Sequence, residues 1–501
     1  MQNTSVPLST RPTDDPSQPI GAGRLLGLAA GPALALTTLA LPVPEGLAPE
    51  GWRMVGLAAW MVVWWLSEAV PLPATALLPL IYIPMFGIDT MRAAAVHFAD
   101  PLIFLFLGGF MLAAAVQNVG LHRRIALHIV AAVGDTPERI VLGFMLATAF
   151  VSMWISNTAS SIMMYTVGLS VVEFVRHTAR DENAVRRFGV ALMLGIAYAA
   201  SIGGVGTLIG TPPNAMLASF LNNTYGLEIS FFTWMLVGVP VVLILLPIAW
   251  VMLSQVLFRT EAGALGKAGQ IVRDEIRTLG PMTAGERLVG AVFLAAAAGW
   301  MLRMPLASLT GLPLNDAMIA LSAALVLFAV PVSRRHGHYA LTWDVVKGLP
   351  WNVLILFGGG LALAGGFATT GLAEWIGSAV AGIEVSTVAM ILLILVAIAY
   401  LSEVTSNTAS TAAFLPILGA VAVGLGLEAQ VLTVPVALGA SMAFMMPVAT
   451  PPNAIVFSYD RMRLSDMVRA GAALKVIGIA TAFAVFMLVG PDVLGFSLGD
   501  G

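Results

Sequence analysis

Apolar residues occur along this chain in long runs that do not alternate with polar residues. Runs of about 20 such residues are long enough to cross a bilayer as helices, and the lack of alternation favours helices over a β-barrel. The pattern therefore predicts an all-α polytopic membrane protein with about eleven transmembrane helices. The predicted spans are roughly 25–44, 53–70, 73–88, 101–119, 188–209, 230–257, 286–304, 314–332, 351–370, 431–448 and 468–490.

Two further apolar stretches, roughly 140–175 and 384–425, are interrupted near their middle by polar residues. The interruptions are Ser156-Asn157-Thr158 and Ser406-Asn407-Thr408. The bilayer core offers no water to a broken helix, so each stretch is interpreted as a re-entrant helical hairpin rather than as one continuous span.

The two interruptions belong to an internal duplication. Ser-Asn-Thr-Ala-Ser occurs at 156–160 and again at 406–410, and Thr-Pro-Pro-Asn-Ala follows at 211–215 and at 450–454. A pair of glycines precedes each copy, at 108–109 and at 358–359. Motifs that recur in the same order over so long a span indicate a repeat of the whole architectural unit.

The distribution of Arg and Lys predicts how the repeats are oriented. Basic residues gather in segments such as 176–187 and 259–287, whereas 42–51 and 221–230 have none. If the basic segments are cytoplasmic, the N-terminus lies inside, the C-terminus lies outside, and the hairpins enter from opposite sides. Such inverted repeats are typical of secondary transporters.

The same pattern divides the chain into four parts. Residues 1–22 are predicted to be a disordered cytoplasmic arm, and residues 258–285 a cytoplasmic amphipathic linker. The linker separates a first half, 23–257, whose hairpin enters from the cytoplasm, from a second half, 286–501, whose hairpin enters from outside. Each half is expected to hold scaffold helices and one repeat.

Composition supports this picture and excludes several kinds of chemistry. Apolar residues make up 58% and charged residues 10% of the chain, against about 45–50% and 25% in soluble domains. The mean hydropathy is +0.91, which predicts an integral protein of the plasma (inner) membrane. No cysteine is present, so disulfides and thiolate sites are excluded. No paired intramembrane acids, metal-ligand motif or nucleophile elbow indicates an enzyme.

The duplicated motifs have the chemistry of an ion-binding site. Helix N-termini at a hairpin tip offer free N–H groups to carboxylate or sulfate oxygens. Carbonyls of a broken helix, with Ser and Asn oxygens, suit a hard cation such as Na⁺. In each Thr-Pro-Pro-Asn, Thr stands where an N-cap belongs and Pro where a helix restarts. Such residues can also serve only as hydrogen bonds between helices, but their paired duplication favours a site.

Two charged residues within predicted spans have no duplicate. Glu403 precedes the second Ser-Asn-Thr, and Met153 stands at the matching position of the first repeat. An intramembrane carboxylate is a candidate for function by default, although Glu403 could also brace the hairpin. Lys475 is expected to extend its amine towards the membrane surface.

These motifs resemble those of the divalent anion:sodium symporter family, which includes the INDY-like sodium/dicarboxylate transporters. The resemblance extends from about residue 23 to the end and depends on the doubled Ser-Asn-Thr and Thr-Pro-Pro-Asn. It implies a homodimer, eleven spans with two opposed hairpins in each protomer, and a transport domain that moves like an elevator past a scaffold.

The resemblance also implies roles for individual residues. Ten would contact the substrate: Ser156, Asn157, Thr158, Thr211, Pro212, Ser406, Asn407, Thr408, Thr450 and Pro451. One sodium ion would lie among Ser152, Ser156, Asn157 and Gly210. A second would lie among Ser402, Ser406, Asn407 and Ala449. No Lys, Arg or His stands at these positions, which favours sodium coupling over cation-independent exchange.

The predicted function is therefore Na⁺-coupled import of C4-dicarboxylates such as succinate, malate or fumarate, with Na⁺ as the coupling ion and no other cofactor. Within the same class, a dicarboxylate exchanger or a carrier of citrate or sulfate remains open. A channel would need a continuous pore lined by rings of carbonyls or charges. The expected partners are the dicarboxylate, sodium, the bilayer and a second copy of the chain, with no nucleic acid.

Overall fold

The computed structural model describes residues 22–178, 181–259, 269–333, 337–380 and 386–497 of the 501-residue chain. The predicted N-terminal arm lies outside these residues except for Ala22, and so do residues 260–268 of the predicted linker. The regular structure is almost entirely helical, which confirms the all-α prediction. Two short antiparallel strands pair with each other, β1 Pro331–Ser333 and β2 His338–Tyr339.

The helices of the first half are α1 Ala22–Ala40, α2 Pro49–Ser67, α3 Leu72–Thr75, α4 Leu78–Met85, α5 Met91–Val96, α6 Pro101–Asn118, α7 Leu121–Val133, α8 Pro137–Ser152, α9 Asn157–Thr178, α10 Glu182–Val205, α11 Pro212–Tyr225 and α12 Phe231–Val251. A 3₁₀ turn, His97–Ala99, follows α5, and a π-helical segment, Met252–Leu257, continues α12.

The helices that follow are α13 Gly269–Thr278, α14 Ala284–Met301, α15 Arg303–Thr310, α16 Asp316–Ala329, α17 Trp343–Lys347, α18 Trp351–Thr369, α19 Leu372–Val380, α20 Thr387–Leu401, α21 Asn407–Gly424, α22 Ala429–Ala440, α23 Pro451–Phe457 and α24 Leu464–Leu494.

Eight helical segments in the described part of the chain are long and apolar enough to cross a membrane. A ninth would be α14 with α15, which meet at a bend of 81°. The predicted number of eleven stays a prediction, because α16, α20 and α22 are apolar but shorter than a full span. The eight segments are Gly23–Ala40, Met91–Asn118, Asn157–His177, Glu182–Val205, Phe231–Leu257, Trp351–Thr369, Asn407–Gly424 and Leu464–Leu494.

Proline explains why the apolar run at 73–88 folds as two short helices. Both α3 and α4 have a proline in their first turn, Pro73 and Pro79. Proline fits the first turn of a helix but cannot continue a preceding one, because it has no N–H to donate. Residues 76–77 form a turn between the two helices, and together they make one apolar segment, Leu72–Met85, that is shorter than a full span.

Two central helices, α10 and α22, organise the rest of the core. Residues 188–205 of α10 and all of α22 are buried. In the first repeat α10 packs against α8, α9 and α12, and also against α23 of the second repeat. The pattern returns in the second repeat, where α22 packs against α20, α21 and α24, and also against α11 of the first. The duplicated sequence therefore folds with the same set of helix contacts in both copies.

Candidate functional site

Each Ser-Asn-Thr motif lies in the turn of a predicted hairpin, where one helix has ended and the next begins. In the first hairpin α8 ends at Ser152 and α9 starts at Asn157. The Ser156 hydroxyl accepts a hydrogen bond from Ala159 N at 3.3 Å, as an N-cap does. In the second hairpin α20 ends at Leu401 and α21 starts at Asn407. The free N–H groups of both first turns therefore lie at the two motifs.

Each Thr-Pro-Pro-Asn motif restarts a helix after a break. The break between α10 and α11 is residues 206–211, and that between α22 and α23 is the longer segment 441–450. Thr211 and Thr450 are the N-caps, and Pro212 and Pro451 are the first helical residues. The Thr450 hydroxyl accepts a hydrogen bond from Asn453 N at 3.4 Å. The prediction of half-helices that restart at these motifs is confirmed.

The asparagine of each Thr-Pro-Pro-Asn holds the broken backbone, which the sequence did not indicate. Asn214 Nδ2 donates to the carbonyls of Gly204, Val205 and Thr207 at 3.2, 3.2 and 2.8 Å. Asn453 Nδ2 donates in the same way to Ala443 O at 3.5 Å and Met446 O at 3.0 Å. Carbonyls that lost their helical partners are thus satisfied inside the protein, as bilayer depth requires. The sequence offered one clue to these two residues: Asn214 and Asn453 occupy the same position in the two copies of the motif.

The packing joins the helices that begin at the motifs of one repeat to those of the other. Helix α9, which starts at the first Ser-Asn-Thr, packs against α23, and helix α21, which starts at the second, packs against α11. Each restarted helix therefore contacts the hairpin of the other repeat. The contact between α9 and the end of α23 includes a hydrogen bond from Ser458 Oγ to Tyr165 Oη at 3.0 Å.

The ten predicted substrate residues differ in exposure. The two threonine N-caps are buried, Thr211 with 6% and Thr450 with 7% of their surface exposed. Ser156 and Pro451 are exposed, and the other six are partly exposed. The hairpin tips therefore present polar atoms to a solvent-accessible face, while the caps fix the backbone behind them.

Oxygen atoms converge at the first predicted cation site. One terminal atom of the Asn157 amide lies 2.6 Å from Ser152 Oγ, 3.1 Å from Ala200 O and 3.2 Å from Gly210 O. Ser152 Oγ also donates to Ala200 O at 2.8 Å. If the amide nitrogen occupies that position, it donates to all three oxygens. If the amide oxygen occupies it, that oxygen lies 2.6–3.2 Å from three other oxygens, of which only Ser152 Oγ can donate a hydrogen bond, and a hard cation would offset their repulsion.

Three of the four residues expected at this site, Ser152, Asn157 and Gly210, are therefore in contact. Ser156 is the N-cap of α9, with its carbonyl accepting from Ser160 N at 3.0 Å. Ala200 contributes a carbonyl oxygen that was not expected. Gly204 makes the approach of Asn157 possible, because a Cβ on Gly204 would lie 2.6 Å from Asn157 Oδ1.

The second predicted cation site contains buried oxygens with no protein partner. Ser402 Oγ and Asn407 Oδ1 are both buried and lack a hydrogen bond. Ala449, whose carbonyl was expected here, is 8% exposed and lies in the break before α23. Unpaired buried polar atoms are costly, so these two oxygens are suited to a ligand that is itself an electron-pair acceptor. Among the described residues no cluster of three or more His, Cys, Asp or Glu offers a conventional metal site.

Lys475 does not extend to the membrane surface as expected. Its side chain is 0% exposed, and Nζ lies 2.6 Å from Oε1 of Glu403, which is 6% exposed. The expectation was wrong because an intramembrane partner stabilises the ammonium better than a long reach to water would. The two charges compensate each other, so neither offers a free charge to a ligand at the hairpin tips.

The chain is similar to known transporters in both sequence and structure. Residues 23–494 match the profile of the sodium:sulfate symporter transmembrane region. The chain is 39% identical over 484 residues to the sodium-dependent dicarboxylate transporter SdcS of Staphylococcus saprophyticus, covering 95% of this chain and 93% of that one. It is 38% identical over 490 residues to SdcS of Staphylococcus aureus, covering 96% and 94%.

Two solved transporter structures share the fold at low sequence identity. The YdaH transporter of Alcanivorax borkumensis aligns over 96% of this chain and 100% of its own, with a TM-score of 0.59 and 13% identity. MtrF of Neisseria gonorrhoeae, described as an antimetabolite efflux pump, aligns over 94% and 96%, with a TM-score of 0.56 and 11% identity. These two likenesses concern the fold alone.

Proposed function

Because the chain belongs to the sodium:sulfate symporter family, we propose that it is a secondary-active symporter that imports C4-dicarboxylates such as succinate, malate and fumarate together with Na⁺. The observation that carries the proposal is the 39% identity to a sodium-dependent dicarboxylate transporter over 95% of the chain. The three oxygens that lie within 3.2 Å of one Asn157 amide atom support the choice of cation.

The dicarboxylate binds between the two hairpin tips. One carboxylate meets Ser156, Asn157 and Thr158, where α9 begins, and the other meets Ser406, Asn407 and Thr408, where α21 begins. Free N–H groups and the positive ends of the helix dipoles favour a carboxylate at each tip. The threonine and proline residues that restart α11 and α23, Thr211-Pro212 and Thr450-Pro451, complete the pocket.

Sodium ions make this pocket able to hold a dianion. None of the proposed substrate residues is Lys or Arg, and an uncompensated dianion in a low-dielectric site is strongly disfavoured. Na⁺ bound at Ser152, Ser156, Asn157 and Gly210, and at Ser402, Ser406, Asn407 and Ala449, offsets the charge and orders the broken backbone. Sodium binding then raises succinate affinity, and succinate raises sodium affinity by the same factor.

The transport cycle we propose is an elevator movement. The equivalent contacts of α10 and α22 support two repeats of one unit, which we assign opposite orientations in the inner membrane. In this arrangement eleven spans and two re-entrant hairpins form each protomer of a homodimer, with the N-terminus in the cytoplasm and the C-terminus outside. The hairpins and the broken helices move together past the remaining scaffold helices.

Transport of sulfate is the second candidate, because the family profile is described as a sodium:sulfate symporter region. Sulfate is also a dianion that helix N-termini bind. It is smaller than succinate, however, and its charge is not divided between two separate carboxylates. Citrate transport and sodium-independent dicarboxylate exchange remain variants of the same proposal.

Uptake into proteoliposomes tests these candidates together. Labelled succinate is supplied outside, with an inward Na⁺ gradient or with K⁺ in its place, and each condition is run with and without succinate inside. Uptake that needs Na⁺ and no internal succinate supports symport. Uptake that needs internal succinate but not Na⁺ would replace symport by exchange, and uptake of sulfate in place of succinate would change the substrate.

A further inference from the structure

A buried ion pair lies directly behind the second hairpin tip. Lys475 Nζ of α24 is 2.6 Å from Glu403 Oε1, and the exposed fractions of the two side chains are 0% and 6%. Charges at this depth are costly unless every donor and acceptor is satisfied. The hydrogen-bond partners of Glu403 and Lys475 therefore indicate the role of the pair.

Glu403 accepts hydrogen bonds from three consecutive backbone amides in the break between α22 and α23. Oε1 accepts from Phe444 N at 2.9 Å and from Met445 N at 3.0 Å. Oε2 accepts from Met445 N at 3.1 Å and from Met446 N at 2.9 Å. These amides have no helical partner, so the carboxylate takes the place of the missing turn of helix.

Lys475 ties the same cluster to the first helix of the hairpin. Its Nζ donates to Ala399 O, in the last turn of α20, at 2.8 Å. It also lies 4.5 Å from the centre of the Tyr400 ring, where a cation–π contact adds stabilisation. The pair therefore joins α24, the end of α20, the hairpin turn and the break in one network.

The network surrounds the second candidate cation site. Glu403 follows Ser402, whose buried hydroxyl has no partner, and precedes Asn407, whose Oδ1 also has none. The break that Glu403 binds through its amides is held from its carbonyl side by Asn453, through Ala443 O and Met446 O. The same break ends next to Ala449. Every group expected to bind the second cation is thus attached to segments that this network fixes.

The first repeat makes the matching connection without charge. Met153 stands at the position of Glu403, and its carbonyl accepts a hydrogen bond from Thr207 Oγ1 in the shorter break. Thr207 Oγ1 in turn accepts from Gly210 N at 3.1 Å. A neutral hydroxyl therefore holds the first turn and break together, whereas the longer second break, with more unpaired amides, is held by a carboxylate.

We propose that Glu403 and Lys475 are positioning residues for the second cation site alone. By fixing the break against the hairpin turn, they hold Ser402, Asn407 and Ala449 in the arrangement that binds the ion. Lys475 cancels the charge of Glu403, so that the net charge of the site is set by the bound cation and substrate. This inference rests on the proposed sodium-coupled function. It assigns the second site to the Glu403–Lys475 pair and the first site to the Thr207 hydroxyl.

The test compares Glu403→Gln, Lys475→Met and the double variant with Thr207→Val, which disturbs the first repeat instead. In proteoliposomes the Na⁺ concentration for half-maximal succinate uptake and the succinate KM at saturating Na⁺ are measured. In detergent the melting temperature is measured with and without Na⁺. The double variant is the decisive one, since it leaves no unpaired buried charge and is the variant best able to fold.

We expect the double variant to fold but to melt somewhat below the wild-type temperature without Na⁺, because the replacement amide has one acceptor oxygen where Glu403 has two. It should require about tenfold more Na⁺, a loss equal to about one hydrogen bond to a charged group. Saturating Na⁺ should restore the wild-type succinate KM. Combining the pair replacement with Thr207→Val should lower Na⁺ affinity further, with near-additive effects, because the two supports serve different sites.

A folded double variant with wild-type Na⁺ dependence would overturn the inference and leave the pair a structural element. The same holds if only the maximal rate changes, or if the pair and Thr207→Val affect Na⁺ affinity non-additively as one unit. A wild-type protein whose uptake and melting are both indifferent to Na⁺ would instead overturn the proposed function, and the inference with it. The wild-type control therefore distinguishes the two failures.

Discussion

Replacing Gly204 with Ala tests the first cation site with a single added methyl group. A Cβ on Gly204 would lie 2.6 Å from Asn157 Oδ1 and 2.9 Å from its Nδ2. Ordinary contact begins at about 3.5 Å, so the Asn157 amide must move by up to roughly 1 Å. Its contacts with Ser152, Ala200 and Gly210, at 2.6, 3.1 and 3.2 Å, cannot all survive this displacement.

The expected effect is a loss of sodium affinity without a loss of helix. Disrupting one or two of these polar contacts costs about 1–3 kcal/mol, which corresponds to about 5- to 150-fold in affinity. Gly204 lies in α10, and alanine is favoured over glycine in a helix by about 1 kcal/mol. Weaker sodium binding in Gly204→Ala can therefore not be attributed to a destabilised helix.

The assay is succinate uptake into proteoliposomes as a function of Na⁺ concentration. Gly290→Ala is the matched control, because a Cβ there would meet only Leu121 Cδ2, at 3.5 Å. Adding Gly204→Ala to Asn157→Ala should cause no further loss, since both changes act on the same side chain. Unchanged Na⁺ dependence in Gly204→Ala, with Asn157→Ala impaired, would refute the assignment of this geometry to cation binding.

Three further predictions concern the motifs. Asn407→Ala removes an oxygen that has no protein partner, so it should leave melting without Na⁺ unchanged and reduce the stabilisation by Na⁺ to the part that the first site supplies; a lower melting temperature without Na⁺ would contradict this. Asn214→Ala removes a donor shared by three buried carbonyls; Val205 O keeps Trp234 Nε1 and Thr207 O keeps Gly210 N, so the loss falls mainly on Gly204 O. Stability should fall by about 1–3 kcal/mol, measured by thermal melting; an unchanged melting temperature would contradict it. Thr450→Val should cost about 1 kcal/mol through the lost N-cap, and Thr211→Val less, because the Thr211 side chain makes no capping hydrogen bond; equal melting shifts would contradict the distinction.

The positions where helices begin were readable from the sequence because they depend on local chemistry. Thr450 and Pro451 form an N-cap and a first helical residue through atoms that lie within a few positions of each other. The same holds for Thr211 and Pro212. The all-helical membrane character was readable for a similar reason, since long apolar runs indicate burial in lipid, but several predicted spans are helices shorter than a full crossing.

The partners of buried groups were not readable, because they depend on how distant segments pack. Lys475 is buried because α24 lies against the hairpin turn that carries Glu403, and nothing adjacent in sequence indicates this contact. The Ala200 carbonyl accepts a hydrogen bond from Ser152 in the first candidate cation site, and every residue has a backbone carbonyl, so the sequence does not indicate which one takes part. Asn214 could have been singled out by its duplicate, but its role became visible only with the broken backbone around it.

The most direct measurement of the central claim is Na⁺ movement driven by succinate. Proteoliposomes are loaded with equal Na⁺ on both sides, radioactive Na⁺ is added outside, and an inward succinate gradient is imposed. The account predicts that Na⁺ accumulates inside while the gradient lasts, and that Asn157→Ala/Asn407→Ala proteoliposomes show no accumulation. Succinate entry with no accompanying Na⁺ would contradict the account.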